Sequence, residues 1–137
     1  MDNALGFVTE EPIDEAALQA SVANPTAGAV VTFSGIVRNH DHGQSIRSLD
    51  YQAHPEASRI LAECCARIAA ESGLPLAAAH RVGSLQIGDV ALYAVVAASH
   101  RKEAFDTCER LVEEIKHGIP IWKRQWFADG ASEWVGL

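Results

Sequence analysis

Eight consecutive residues, Ala91 to Ala98 (ALYAVVAA), carry no charged side chain, and this run constrains the fold more than any other. A stretch of this length and composition reads as a strand buried on both faces, so other layers must cover it above and below. A second run, Ala29 to Val37 (AVVTFSGIV), is also strand-like, with Gly35 as a bulge or a point of close approach. Other segments switch to helical spacing. Ala104, Phe105, Cys108, Leu111, Val112 and Ile115 form one apolar stripe, with Glu103, Glu109, Arg110, Glu113 and Glu114 opposite. His117-Gly118 ends that helix and Pro120 blocks its return.

The remaining elements follow from the same periodicities. Phe7 to Thr9 reads as a short first strand, and Pro12 suits the first turn of a helix carried on by Ala16, Ala17, Ala20 and Val22 to Asn24-Pro25. Arg38 to Ser45 reads as a loop, and Arg47 to Ala53 as a strand with Leu49, Tyr51 and Ala53 on one face. His54-Pro55-Glu56 opens a second helix that runs to Ser72 and ends at Gly73. Leu76 to Val82 is a strand followed by a break at Gly83, and Ile87-Gly88-Asp89 turns the chain into the central run. Ile121 to Phe127 and Ser132 to Val135, around Asp129-Gly130, read as a terminal hairpin. The order β-α-β-β-α-β-β-α-β-β predicts an α+β sandwich, with helices packed on a mixed, largely antiparallel sheet.

The chain has 137 residues, the size of one domain, which residues 1–137 are expected to form. With 48% apolar and 21% charged residues, intrinsic disorder is excluded as a description. A formal net charge of -7 argues against a non-specific nucleic-acid binder. No apolar run approaches the ~20 residues that span a bilayer, and Met1 to Glu15 lacks the pattern of a secretory signal. Three cysteines make neither a disulfide framework nor a metal spacing; Cys64 and Cys108 lie on apolar stripes, with Cys65 at the core's edge. A cytoplasmic protein is expected.

The charge is unevenly spread. Residues 1–37 contain no Lys or Arg, and Lys102, Lys116 and Lys123 are the only lysines. Basic residues fall at element ends in three segments: Gly35 to His42, Ser99-His100-Arg101, and Lys116 to Arg124. Brought together, they would make a cationic pocket for an anionic ligand, helped by the N–H groups of a helix N-terminus. Each also has an ordinary structural account. Arg38 can solvate a loop mouth, His100 can cap a helix, Lys116 suits a helix C-terminus and Lys123 can snorkel from a strand. His40 and His42 lack a third ligand and are not read as a metal site. No Cys–His–Asp or Ser–His–Asp order suggests a nucleophilic triad.

Jointly the three segments say more. GxVRNH, SHRxxAF and KHGIPIWKR, in this order, closely resemble the large, catalytic subunits of molybdopterin synthase, and the likeness covers nearly the whole chain. The resemblance implies an α/β hammerhead fold. It implies sulfur transfer to a cyclic pyranopterin monophosphate, precursor Z, forming the dithiolene of molybdopterin in molybdenum cofactor biosynthesis. The donor it implies is a small ubiquitin-like subunit with a C-terminal Gly-Gly thiocarboxylate, in a heterotetramer centred on two large subunits. It also implies substrate-binding roles for Arg38, His100, Arg101, Lys116, Lys123 and Arg124, and catalytic roles for Lys116 and Lys123. No metal or redox cofactor is implied, because the sulfur arrives already activated. Gln125 departs from the glutamate common at that place, and the chain stops at Leu137 where many relatives continue.

The chemistry of the residues is compatible with those roles. Arginines recognise phosphate in a bidentate manner, and a lysine crowded by cations or buried loses its proton more readily. Lys116 is expected to be that lysine, with Lys123 lowering its pKa and binding a developing oxyanion. The competing expectation is a non-catalytic module that grips a small anion or a peptide carboxylate. A mere anion binder could use arginines throughout, whereas two of three lysines sit in one proline-broken segment here.

Overall fold

A computed structural model describes residues 3–41 and 43–137. Its elements in chain order are β1 (Ala4–Thr9), α1 (Glu15–Val22), β2 (Ala29–Ile36), β3 (His40–Asp41), β4 (Gln44–Ala53) and α2 (Ala57–Ser72). Then follow β5 (Leu76–Arg81), β6 (Gly83–Gln86), β7 (Val90–Ala98), α3 (Arg101–Gly118), β8 (Ile121–Phe127) and β9 (Ser132–Gly136). The strands divide between two sheets. One has the order β1-β5-β7-β2, and the other β3-β4-β8-β9 with β6 also paired to β4. Among the described residues only β1 and β5 run parallel, so the expectation of a mixed, largely antiparallel α+β architecture holds.

The central run behaves as its composition dictates. From Ala91 to Ala98 every residue of β7 is buried. One face packs under α2 and α3 in the larger core, and the other under Leu18 and Val22 of α1. α3 buries Ala104, Cys108, Leu111, Val112 and Ile115, spacings that align on one side of a 3.6-residue helix. Phe105, on the flank of that stripe, is 59% exposed instead of core. Cys65, expected at the edge, is fully buried. There its Sγ lies 2.8 Å from where a Cβ on Gly6 would stand, so Gly6 is what lets β1 lie against α2.

Four local differences from the sequence reading have physical causes. Asp14, whose Oδ1 accepts from the Ala17 N–H at 3.1 Å, is the N-cap of α1, and Pro12 stays outside the helix. β4 starts at Gln44, because a register shift between Ile46 and Ser48 lets Ile46 and Leu49 share the buried face despite their odd spacing. The loop after Arg38 contains the two-residue strand β3. The break at Gly83 (φ +101) starts β6, where Leu85 is buried as β6 pairs with β4. Gly35 is a bulge as expected: the β2–β7 register shifts between Gly35 and Ile36, turning the chain out toward Arg38.

Candidate functional site

A cavity of about 330 Å³ opens where the two sheets meet beneath the C-terminal end of α3. Arg38 enters from the end of β2, Lys116 from the last turn of α3, and Lys123 and Gln125 from β8. Tyr51 of β4 and His80 of β5 complete the polar part of the lining, and Leu137 also reaches it. Three of the expected site residues therefore converge from three separate elements.

The cations differ in their surroundings. Arg38 is held by Asp41, with Nη2 donating to Oδ1 at 3.2 Å, and remains largely exposed. Lys102 pairs with Asp106, whereas Lys116 and Lys123 have no ion pair among the described residues. Lys116 is exposed at the mouth and Lys123 is half-buried. Burial lowers the pKa of Lys123; Asp41 opposes that shift, and Lys116 and Arg38 add to it. Burial on the strand thus favours the neutral amine at Lys123.

Gln125 was legible only as a departure from a familial glutamate, and the structure gives it a clear place. It is 1% exposed, and its Nε2 donates to Asp41 Oδ2 at 2.9 Å and to Glu133 Oε1 at 2.8 Å. One amide group satisfies two carboxylates, one of which holds Arg38.

His80 escaped the sequence reading altogether; the signal was a lone imidazole within the apolar run LAAAHRV. It is 2% exposed and meets the Tyr51 ring edge-on at 5.1 Å. Its Nδ1 lies 2.7 Å from the carbonyl oxygen of Arg81, and a carbonyl only accepts, so the proton sits on Nδ1. Burial pushes its pKa down to about 4; the Arg81 carbonyl opposes the shift, and the charges of Lys116 and Lys123 reinforce it. The linkage has a definite sign. A histidine of ordinary pKa near 6.5 in the unfolded chain binds a proton there before it does in the fold. Native stability is therefore full above about pH 6.5 and falls by roughly 3 kcal/mol as pH drops toward 4. His80→Gln is expected to flatten that part of the stability profile, measured by urea unfolding at pH 7.5, 6, 5 and 4.

Three expected residues lie elsewhere. On β8, Lys123 and Gln125 face the cavity, so by strand alternation Arg124 faces outward. There its guanidinium sits 4.2 Å from the Trp126 ring centroid and 5.7 Å from that of Trp134, while Nε donates to Ser132 Oγ at 2.9 Å. His100 is the N-cap residue of α3, without a side-chain capping bond, and Arg101 is its first helical residue. At 1.5 Å per residue, Arg101 stands about 22 Å along the helix from Lys116. Within one copy the cavity does not gather these three.

Among the described residues no cluster of three or more His, Cys, Asp or Glu could hold a metal ion; His42 lies outside them. All three cysteines are buried thiols outside the cavity lining, and burial pushes the Cys65 thiol up to about 12. No helix among the described residues is long and apolar enough to cross a membrane.

Two sheets, three covering helices and a cavity lined by Arg38, Lys116 and Lys123 define an α+β protein with a cationic cavity. The MoaE protein family model matches residues 8–118. "Molybdopterin synthase catalytic subunit 1" of Mycobacterium tuberculosis (strain ATCC 25618 / H37Rv) is 39% identical over 131 residues, covering 94% of this chain and 88% of that protein. The molybdopterin synthase catalytic subunit of Nostoc sp. (strain PCC 7120 / SAG 25.82 / UTEX 2576) is 36% identical over 135 residues, covering 95% and 81%. The X-ray crystal structure of molybdopterin synthase from Staphylococcus aureus superimposes with a TM-score of 0.89 at 34% identity, covering 100% of this chain and 99% of that one. The chain belongs to the MoaE family.

Proposed function

We propose that this protein is the catalytic subunit of a molybdopterin synthase, with the cavity of Arg38, Lys116 and Lys123 as its active site. The carrying observation is the convergence of one arginine and two lysines, neither lysine with an ion pair among the described residues, on a single cavity where the sheets meet. Precursor Z brings a phosphate and the small ubiquitin-like donor brings a thiocarboxylate, and both are anions. Their mutual repulsion must be offset where they meet, which a cationic cavity on an otherwise acidic protein does. Arg38 suits the phosphate, because its guanidinium presents a planar fork of donors. Lys116, exposed at the mouth, suits the charge of the incoming C-terminal tail and the oxyanion that develops on its acyl carbon. Lys123, whose burial favours the neutral amine, is the residue to move a proton. In each transfer the thiocarboxylate sulfur bonds to a substrate carbon as a carbon–oxygen bond there breaks. Water then cleaves the acyl–sulfur bond, leaving the sulfur on the substrate and the donor's acyl group as a carboxylate.

His100 and Arg101 retain their substrate-binding role in this reading only if a second copy delivers them. A centre of two large subunits, with a small subunit at each outer end, offers that arrangement. Arg124 is assigned to the outer face instead of the substrate. The whole chain, 1–137, works as one domain, and its buried thiols suit the reducing cytoplasm. The test is reconstitution of the purified chain with precursor Z and a thiocarboxylated Gly-Gly donor, followed by fluorescence of the oxidised pterin. Dithiolene formation that depends on this chain is the expected result. Tight donor binding without product would instead favour a carboxylate-gripping module.

A further inference from the structure

We infer that His80 is a positioning residue of this site: a neutral imidazole locked in one tautomer, whose Nε2 is the acceptor left for an N–H of Lys123 when that lysine moves its proton. The inference rests on the reading of Lys123 as the group that moves a proton. Tyr51 in β4 stands directly opposite Lys123 in β8, and the His80 ring packs edge-on against Tyr51. All three side chains line the same cavity. Because Nδ1 is committed to the Arg81 carbonyl, Nε2 is the remaining polar atom of the ring, and it can only accept.

A neutral acceptor is what such a lysine needs. A carboxylate in that place would fix the amine's position but hold its proton, as Asp41 partly does. An imidazole that stays uncharged takes one N–H and orients the nitrogen lone pair without adding negative charge. Burial, together with the positive charges of Lys116 and Lys123, keeps the ring neutral at working pH. The fold spends a fully buried polar side chain in the alanine-rich strand β5 to provide this acceptor.

Two substitutions separate acceptor from packing. His80→Phe keeps a ring against Tyr51 and removes the acceptor, whereas His80→Gln keeps an uncharged acceptor and loses the ring. In the reconstituted reaction, His80→Phe is expected to lower kcat about tenfold with KM changed less than about twofold, the mark of lost orientation, not lost binding. His80→Gln is expected to stay within about threefold of the parent kcat. His80→Leu, smaller than the native ring, gives the same reading should Phe disturb the packing. A His80→Phe or His80→Leu protein with the parent kcat overturns the inference, as does a folded His80→Gln protein as slow as either. Lys123→Ala run alongside keeps the two levels apart. If it too retains the parent rate, the reading of the site itself fails; if it alone is inactive, only the role of His80 does.

Discussion

Substituting either lysine of the cavity by alanine is expected to slow dithiolene formation by about a hundredfold or more, the usual cost of removing a proton-transfer group or an oxyanion donor. Neither loss should come from unfolding. Lys116 is exposed at a helix end without an ion pair among the described residues, and changes at such places usually fall within about 0.5 kcal/mol. Lys123 is half-buried, and removing its ammonium from there relieves a desolvation cost. Arginine replacements then separate the two roles. Arginine keeps the charge but does not give up its proton. Lys116→Arg is therefore expected to keep about a tenth of the rate, and Lys123→Arg about a hundredth or less. The measurement is initial rates with precursor and donor both saturating, beside thermal unfolding of each variant. Full activity in Lys116→Ala or Lys123→Ala would remove that lysine from the mechanism, and equal rates in the two arginine variants would remove the division of labour.

A second large effect is expected in stability. Gln125→Glu would replace an amide that donates to two carboxylates with a third carboxylate between them. Asp41 at 2.9 Å and Glu133 at 2.8 Å would then face a like charge in a site that is nearly closed to water. A loss of about 3 kcal/mol at pH 7.5 is expected, the scale of a charge left uncompensated in a protein interior. For a chain of this size that is a fall of roughly 10 °C in Tm. The repulsion raises the new carboxyl's pKa in the fold above its unfolded value near 4.3, so the sign follows. Below about pH 4 the glutamate is protonated in both states and the charge penalty is absent; it grows as pH rises through the folded pKa. Gln125→Met, apolar and of similar volume, should lose about 1–2 kcal/mol with little pH dependence, because it removes the donor and adds no charge. A Gln125→Glu protein as stable as the parent at pH 7.5 would show that this amide does not hold the two carboxylates together. The amide at this position is thus matched by the acids around it.

Elements were more legible than the site. The α3 stripe and the β7 run have periodicities that only one kind of burial satisfies, and both were read nearly to the residue. Short strands were not: β3 and β6 owe their existence to partners on β4 and carry little propensity of their own. Within the site, Arg38, Lys116 and Lys123 could be picked out because each sits at an element end in a lysine-poor chain. Arg124 lies away from Lys123, since neighbours on a strand point to opposite sides. His100 and Arg101 lie at the opposite end of the helix that carries Lys116, so one cavity does not gather them all. His80 was hidden because an isolated histidine in an apolar run looks like core until its neighbours across two sheets are known.

The outer face of β8 and β9 gives the molecule a built-in optical label. All three tryptophans, Trp122, Trp126 and Trp134, belong to these two strands, and Trp126 Nε1 donates to Asp50 on β4 at 2.6 Å. Intrinsic emission therefore comes from the wall that carries Lys123 and Gln125 on its other side. Amide circular dichroism, by contrast, is dominated by the three helices. The two signals watch different parts of one chain, and a substitution that unseats the lysine-bearing wall alone would move the first and leave the second in place.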